Sequence, residues 1–388
     1  MRYLLYLFTI ALGIQSCDQR LPLAIHKTNY SLIPNLATKE IYVNQINMDS
    51  IIIKTADDES LSSMIGHFFF KSDTLCFADQ QLASILCYNL QGQYITSHLD
   101  RGRGKNEILG LREINNTNPN QISILDPNWT IYIFNNNWEK IEQFRILWGK
   151  PQSYKKLLKH YTADELGIYE LEYNGIFPWR KDYLILPITT EHRYYNAYFG
   201  KNIDHFYENS YCVGIVDRKK GMLTKMICTR PPVYQNYKYI PNFSQIIMDV
   251  KQDTLFYSFR ADSSIYMMNL NDSSLCAYGN QGIAMNTAYR ETNTLEEAEN
   301  NFNTDLENYG YYYHLKIIPE TNILFRSYRK DAYPQKDGLQ IYNKNILIGD
   351  CPVPRNFKVF GYHNSYYYAT GEPNLENDQM VVYKFKLK

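Results

Sequence analysis

The chain has 388 residues and carries 40 basic and 40 acidic side chains, so its formal net charge is zero. Because nucleic acids are bound mainly by neutralising phosphate charge, this balance argues against nucleic acid as a partner. Tyrosine and phenylalanine are abundant, with 36 and 18 copies, and aromatic side chains favour β-strands. The length allows one large domain or two ordinary ones, and the composition predicts an all-β class.

The amino terminus has the pattern of an export signal. Arg2 provides a basic start, and residues 4–14 form an uncharged apolar stretch. This stretch is shorter than the roughly 20 apolar residues that a membrane-spanning helix needs, and it suits the apolar region of a secretory signal peptide. We therefore predict that residues 1–16 are a signal peptide.

A cysteine follows the signal directly. The four residues that end at Cys17, IQSC, resemble the lipobox of bacterial lipoproteins, although Gln15 replaces the small or hydroxyl residue usual there. The resemblance implies that Cys17 is lipidated and that the lipid attaches the protein to a membrane. Ordinary secretion with an unmodified Cys17 is the alternative. Residues 17–37 are predicted to be the lipidated cysteine and a tether, and residues 38–388 the folded domain.

One short sequence pattern, which we call the repeated phrase, recurs along the chain. It is an apolar or aromatic run that is often preceded by a polar turn. Several copies are followed by another turn and a second apolar run, which is the pattern of strands joined in hairpins. The six copies occupy residues 73–78, 121–125, 182–187, 253–258, 321–326 and 364–369.

Repeated strands and turns at intervals of several tens of residues are typical of β-propeller blades. One blade cannot bury both of its faces alone, so six phrases predict an all-β, six-bladed β-propeller; a pair of β-sandwiches is the alternative. The final strand, residues 380–387, is expected to close the ring by pairing with residues 40–43 or 50–54, which removes exposed edges. Residues 153–166 and 294–306 have helical character and are predicted to be small helical insertions.

Residues 85–109 resemble a blade sequence of uncharacterised six-bladed, TolB-like propeller lipoproteins of Gram-negative bacteria. That sequence runs from an apolar strand through a polar-glycine turn to a second strand, a basic-glycine repeat and an acidic residue. Here the turn is residues 91–92, the repeat is residues 101–104, and the acidic residue is Glu107. Residues 311–328 are similar to a tyrosine-rich strand pair late in the same proteins. The resemblance implies a propeller fold and a cell-envelope location, and it carries no catalytic residues.

The six cysteines after Cys17 include no Cys-x-x-Cys pair, so neither a zinc site nor thioredoxin-like chemistry is predicted. Cys212 and Cys228 flank a turn at residues 217–221 almost symmetrically. Some cross-strand neighbours stand close enough to bridge, so a Cys212–Cys228 disulfide is one prediction and two buried free thiols are the alternative. The eight histidines are scattered without a His-x-x-x-His pair, and we predict no metal site and no cofactor.

A long aromatic loop is the first candidate binding site. Residues 189–207 concentrate tyrosine, histidine and basic side chains, and long loops often form binding faces on which tyrosines contact sugars or peptides. A basic turn at residues 101–105 is the second candidate, because guanidinium groups and backbone amides hold anions. A tight turn that needs its glycines only for structure is the alternative there. The predicted ligand-binding residues are His192, Arg193, Tyr194, Tyr195, Tyr198, Arg101 and Arg103.

The chain lacks the Gly-x-Ser-x-Gly nucleophile elbow and a repeated sialidase box. We predict a lipid-anchored propeller, periplasmic or on the outer-membrane surface of a Gram-negative cell. It is expected to bind a peptide, a glycan or another envelope protein at the mouth of the axial channel. An envelope glycan hydrolase with two channel carboxylates about 5–9 Å apart is the alternative. A purely structural scaffold, whose channel mouth is filled by its own side chains, is the third interpretation.

Overall fold

Each of the six repeated phrases forms most of the second strand of a separate antiparallel sheet. These strands are central in their sheets, and their apolar side chains meet protein on both faces, as near-continuous hydrophobic strands do. We number the sheets, or blades, 1 to 6 in chain order. The computed structural model describes residues 28–55, 61–118, 120–150, 153–173, 175–190, 192–198, 202–236, 239–292, 294–330 and 336–387.

The first two strands join sheets that later parts of the chain build; they are β1 (Thr38–Val43) and β2 (Met48–Lys54). Blade 1 contains β3 (Gly66–Lys71), β4 (Thr74–Asp79), β5 (Ser84–Tyr88) and β6 (Tyr94–His98). A short parallel pair follows, β7 (Asp100–Arg101) and β8 (Glu107–Ile108). Blade 2 contains β9 (Glu113–Asn115), β10 (Ile122–Leu125), β11 (Thr130–Phe134) and β12 (Lys140–Arg145).

Blade 3 has an inner position shared by two short strands, β13 (Glu170–Leu171) and β14 (Phe177–Trp179), followed by β15 (Tyr183–Thr189), β16 (Tyr211–Asp217) and β17 (Met222–Thr229). Blade 4 contains β18 (Ile246–Lys251), β19 (Thr254–Phe259), β20 (Ile265–Asn269) and β21 (Leu275–Tyr278). Blade 5 contains β22 (Tyr311–Ile318), β23 (Ile323–Arg329), β24 (Lys336–Asn343) and β25 (Ile346–Pro354). Blade 6 contains β26 (Lys358–His363), β27 (Tyr366–Thr370) and β28 (Gln379–Phe385).

The two ends of the chain close the ring. Strand β2 is the outer strand of blade 6 and runs antiparallel to β28, with Ile51 opposite Val382, so the predicted closure through residues 50–54 is confirmed. Strand β1, which holds residues 40–43, instead lies parallel to β25 at the outer edge of blade 5. Inner strands of neighbouring blades touch from β14 through β18, β22 and β26 to β3. The predicted six-bladed propeller is therefore confirmed, and the sandwich alternative is wrong.

Apolar side chains between the blades form the core. Blades 3 and 4 share one cluster, in which Leu184, Ile215 and Leu255 are almost completely buried. Full burial of each such aliphatic side chain contributes roughly 1.5–3 kcal/mol. Inter-blade packing of this kind is what holds otherwise separate four-stranded sheets in one ring.

The two faces of the ring differ in their connections. Since neighbouring strands alternate in direction, the turn between the first and second strand of every blade lies on one side, which we call the hairpin face. The links between blades, and between second and third strands, lie on the other side, which we call the insertion face. The described helices all lie at the insertion face: α1 (Tyr154–Lys159), α2 (Ile203–Asn209), α3 (Val233–Asn236) and α4 (Leu295–Asn308).

The predicted helical insertions are present. The Thr294 side chain caps α4 by accepting a hydrogen bond from the Glu297 backbone N–H at 3.1 Å. In the other insertion only α1 is α-helical, with Ser153 as its cap. The sequence pattern missed α2 and α3, because seven and four residues are too few for helical periodicity to show. Within the described ranges, none of the helices has the length and apolar character required to cross a membrane.

Candidate functional site

A cavity of about 830 Å³ lies at the hairpin-face end of the central axis. The first turns and the inner-strand ends of all six blades form its wall. An open cavity at this mouth differs from the filled mouth that the scaffold interpretation predicts. The lining residues are Phe70, Asn116, Thr117, Asn118, Pro178, Arg180, Val250, Lys251, Gln252, Asp253, Lys316, Ile317, Ile318, Pro319, Glu320, Phe360, Gly361 and Tyr362.

Blades 1 and 6 give this cavity an aromatic wall. The Phe70 ring stacks on His363 with centroids 5.1 Å apart and lies 5.6 Å from the Phe360 ring. Tyr362 lines the same part of the cavity. A Cβ at Gly361 would lie 2.9 Å from a Phe70 ring carbon, so the glycine permits this close approach. Half-buried rings of this kind provide apolar faces on which a sugar or an apolar side chain stacks.

Blades 3, 4 and 5 add charged groups to the cavity. Lys316 Nζ lies 3.1 Å from Asp249 Oδ2, and Arg180 Nε lies 3.6 Å from Asp253 Oδ1. The Trp179 indole N–H donates to the same Asp253 oxygen at 2.8 Å. This hydrogen bond is the main reason why the pKa of Asp253 lies below its ordinary value. Because carboxylates neutralise both cations, this side of the cavity is polar without a strong net charge.

Ionisable side chains also gather where the inner strands begin, at the insertion face. His67, Glu113 and Lys358 occupy the first or second position of β3, β9 and β26, in three consecutive blades of the ring. His67 Nε2 lies 3.6 Å from Glu113 Oε2. Lys358 is exposed although its neighbours Phe357 and Val359 are fully buried, and desolvation by surrounding groups lowers the pKa of Lys358. We conclude that Lys358 faces a solvent-filled recess at the insertion-face end of the axis.

A buried acid and base lie near this end of the axis. Arg230 Nη2 is 4.0 Å from Glu172 Oε1, and the Arg230 guanidinium lies 4.4 Å from the Phe206 ring centroid. Glu172 Oε2 has no hydrogen-bond partner among the described residues. Burial raises the pKa of Glu172 to about 7, which the Arg230 charge opposes only in part. Glu172 therefore exchanges its proton near neutral pH.

The predicted aromatic loop lies at the insertion face, between β15 and β16 of blade 3. Arg193 and Tyr194 are exposed, and the guanidinium lies 5.3 Å from the Tyr194 ring centroid. His192 and Tyr198 are half-buried. Tyr195 is buried, so its ring supports the loop from inside instead of facing a ligand. None of these five residues lines the hairpin-face cavity.

The predicted basic turn is also at the insertion face, in the link between blades 1 and 2. Arg101 and Arg103 are exposed, and Arg101 donates to the Gln81 carbonyl oxygen. Glu107 Oε2 accepts a hydrogen bond from the Gly104 N–H at 2.6 Å. An internal carboxylate thus occupies a backbone amide that an anion would use, which favours the structural interpretation of this turn.

Two cysteine pairs face each other across strands. The register of β16 and β17 places Cys212 opposite Cys228, and both thiols are buried and free. The sequence analysis missed the second pair: Cys76 and Cys87 are opposite on β4 and β5. Cys17 lies outside the described residues. In the described part of the chain, no group of three or more His, Cys, Asp or Glu side chains is arranged to hold a metal ion.

The protein is thus a six-bladed β-propeller with an open cavity at one end of its axis. Its fold is similar to that of a DUF4221 family member from Bacteroides vulgatus, with a TM-score of 0.63 and 15% identity over 89% of this chain and 99% of that chain. It is also similar to a protein from Bacteroides fragilis assigned to the exported class, with a TM-score of 0.54 and 13% identity over 91% and 99% of the two chains. Identities this low show the fold alone. Searches with the sequence itself match no protein family and no curated protein.

Proposed function

We propose that this protein is a lipid-anchored propeller of the Gram-negative cell envelope that binds a peptide, a glycan or another envelope protein in its axial cavity. The observation that carries the proposal is the cavity of about 830 Å³ to which all six blades contribute. Its aromatic wall suits sugar rings and apolar side chains, and its paired charges suit neutral or zwitterionic polar groups. Ligands of this kind bind in concave sites with apolar surface and a few convergent polar groups.

Filling the cavity tests this proposal. Glu320 is exposed and lines the cavity, so Glu320→Trp places a large side chain in the binding space. Glu139 is exposed in an outer turn of blade 2 on the same face, outside the cavity lining, and Glu139→Trp is the matched control. Peptide and glycan arrays probed with the mature protein are expected to give ligands that Glu320→Trp no longer binds and Glu139→Trp still binds. Ligands that both variants retain would place binding elsewhere, and arrays without any bound ligand would contradict the proposal.

The lipid anchor is part of the same proposal. It is supported by the apolar signal pattern of residues 1–16 and the lipobox-like cysteine at position 17. The resemblance of residues 85–109 to TolB-like lipoproteins also supports an envelope location. At the insertion face, the exposed pair Arg193 and Tyr194 remains our candidate for a second contact surface, together with His192 and Tyr198.

A second candidate function is hydrolysis of an envelope glycan, and Glu172 favours it. A carboxyl group with a pKa of about 7 suits a general acid at neutral pH, and Glu113 near the same end of the axis is the available second carboxylate. Glu113→Gln and Glu172→Gln are then expected to abolish release of reducing sugar from envelope glycans. If the unmodified protein releases no reducing sugar from any of the envelope glycans tested, glycan hydrolysis is excluded as a function.

A further inference from the structure

Two cations at the insertion-face end of the axis have no carboxylate within ion-pair distance among the described residues: Lys358 and Arg260. Lys358 begins the inner strand of blade 6. Arg260 follows β19, and its backbone holds a fixed place between blades 4 and 5. Its N–H donates to the Gln245 carbonyl at 3.0 Å, and its carbonyl accepts from the Tyr312 N–H at 3.0 Å.

The Arg260 guanidinium is only partly satisfied by protein groups. Its Nη1 donates to the Asn242 carbonyl oxygen at 3.2 Å, and the group lies 5.3 Å from the Tyr311 ring centroid. Its Nε and Nη2 groups have no hydrogen-bond partner among the described residues. The Nε and Nη2 donors of Arg260 therefore remain available to a ligand. The backbone hydrogen bonds of Arg260 and the Tyr311 ring hold the side chain in place.

The two cations both lie beside the start of the inner strand β22, because the Arg260 carbonyl accepts from the Tyr312 N–H at 3.0 Å and Val359, next to Lys358, contacts His314 through its carbonyl at 2.7 Å. Desolvation lowers the pKa of both groups, and the positive charge of Arg260 further lowers the pKa of Lys358. Glu113 opposes this effect at Lys358, but Glu113 Oε2 also lies 3.6 Å from the His67 imidazole. Holding an incompletely paired guanidinium partly away from water is costly, and a bound anion would offset that cost at Arg260.

Tyr173 adds an uncharged donor toward the same end of the axis. Its hydroxyl is buried and has no hydrogen-bond partner among the described residues. Tyr173 follows Glu172, whose backbone N–H donates to the Pro187 carbonyl at 3.1 Å toward the insertion-face end of β15, and the charges of Glu172, Arg260 and Glu113 all act on the Tyr173 hydroxyl. This hydroxyl is therefore available to donate to a ligand oxygen.

We propose that the insertion-face end of the axial channel binds a ligand that carries an oxyanion group, through Arg260 and Lys358, with the Tyr173 hydroxyl as an additional donor. A carboxylate, a sulfate and a phosphate share the required chemistry, since each offers several oxygens to a guanidinium fork and an ammonium group. The site lies at the opposite end of the axis from the hairpin-face cavity, and it does not depend on the proposed function.

Calorimetric titration of the mature protein at constant ionic strength tests this site. The probes are glucuronate, sulfate and phosphate, with glucose as the neutral counterpart of glucuronate. At least one anion is expected to bind, and glucose is not. Loss of a charged hydrogen-bond partner in Lys358→Met or Arg260→Met is expected to weaken anion binding by roughly tenfold or more. Lys344→Met removes the same charge at an exposed outer turn of blade 5, outside the cavity lining, and is expected to leave the affinity unchanged.

Each outcome is decisive. Binding of glucuronate alone supports the site and identifies an acidic sugar, whereas binding of sulfate or phosphate alone supports it and identifies an inorganic type of group. Equal weakening by Lys344→Met would show non-specific attraction and overturn the proposal, as would no binding of any anion to the unmodified protein. If Arg260→Met does not fold, the exposed Lys358→Met variant, checked by circular dichroism and thermal unfolding, still decides the result.

Discussion

The Sγ atoms of Cys76 and Cys87 lie 3.0 Å apart across the paired strands β4 and β5. Both side chains are buried in blade 1. One of the two thiols donates to the other sulfur, and this contact lowers the pKa of Cys87 while it raises that of Cys76. Because the thiolate is the reactive form of cysteine, this arrangement favours formation of a disulfide when an oxidant is present.

We expect a Cys76–Cys87 disulfide when the reduced, unfolded protein refolds with oxidised glutathione. The two thiols lose two protons and two electrons, and glutathione disulfide is reduced to two thiols. A cross-link over this short loop is expected to stabilise the fold by about 2–3 kcal/mol. Peptide mapping by mass spectrometry and urea unfolding with and without dithiothreitol measure both effects.

The control for this experiment is the other facing pair, Cys212 and Cys228, which the same peptide map reports. Cys76→Ser is expected to remove the stability difference between oxidised and reduced protein. Full alkylation of Cys76 and Cys87 after oxidative refolding would show that the pair does not bridge.

The buried Glu172 carboxyl is expected to make the protein less stable as the pH rises. Its pKa is about 7 in the folded protein against an ordinary value of 4.5, so the folded state holds the proton more tightly than the unfolded state does. The stabilising contribution of the Glu172 carboxyl to the free energy of unfolding is therefore complete below about pH 4.5 and is lost as the pH rises through about 7. At 1.36 kcal/mol per pKa unit this amounts to roughly 3 kcal/mol. Urea unfolding of Glu172→Gln should show a smaller loss of stability between pH 5 and pH 8.

His314 provides the comparison with the opposite sign. It is half-buried in blade 5 and contacts the Val359 carbonyl through Nε2 at 2.7 Å. Burial lowers the pKa of His314 from 6.5 to about 3, so its contribution is present above about pH 6.5 and is lost as the pH falls toward 3. His314→Gln should reduce destabilisation by acid without changing the Glu172 effect. A wild-type-like profile in both variants would contradict these assignments.

Arg326 is expected to be essential for joining blades 4 and 5. It is completely buried. Its Nη1 donates to Ser258 Oγ at 3.1 Å in blade 4, and its Nη2 donates to Gln340 Oε1 at 2.7 Å in blade 5. Its guanidinium also lies 3.8 Å from the Tyr312 ring centroid. A lysine keeps the charge but cannot replace this fork, so Arg326→Lys should lower the free energy of unfolding by about 3–5 kcal/mol.

The same substitution at a surface arginine is the control for Arg326. Arg355 Nε lies 4.0 Å from Glu372 Oε1 near the surface, and Arg355→Lys should cost less than about 1 kcal/mol. Urea unfolding measures both variants. Similar small losses in the two variants would show that the buried fork does not stabilise the contact between blades.

Lipidation is expected to depend on Cys17. Cys17→Ala removes the acceptor thiol, so the protein should leave the membrane fraction and lose incorporation of a clickable fatty acid. Cys276→Ala, at a half-buried cysteine of blade 4, should retain both properties. Labelling or membrane association that persists in Cys17→Ala would exclude this anchor.

Strand pattern and blade number were accessible from the sequence because they are local properties. Each repeated phrase, such as residues 253–258, is a short apolar run beside a polar turn, and such a run forms the central strand of its own sheet. The closing strand was also recognisable, because residues 50–54 and 380–387 read as strands at the two ends of the folded domain, where a ring must close. Local patterns did not distinguish exposed Tyr194 from buried Tyr195.

The hairpin-face cavity was decided by the tertiary structure. Its wall combines inner-strand ends with turns that precede the repeated phrases, and each of these turns looks like an ordinary hairpin in the sequence. Only the tertiary structure likewise brings Arg260 and Lys358 to one end of the axis, since they lie almost a hundred residues apart in the chain. The sequence by itself determined the class of fold, since pleat periodicity and turn chemistry act over a few residues. Only ring closure brought distant turns and charges to one axis, because that geometry depends on packing between blades and leaves no periodic signal in any single segment.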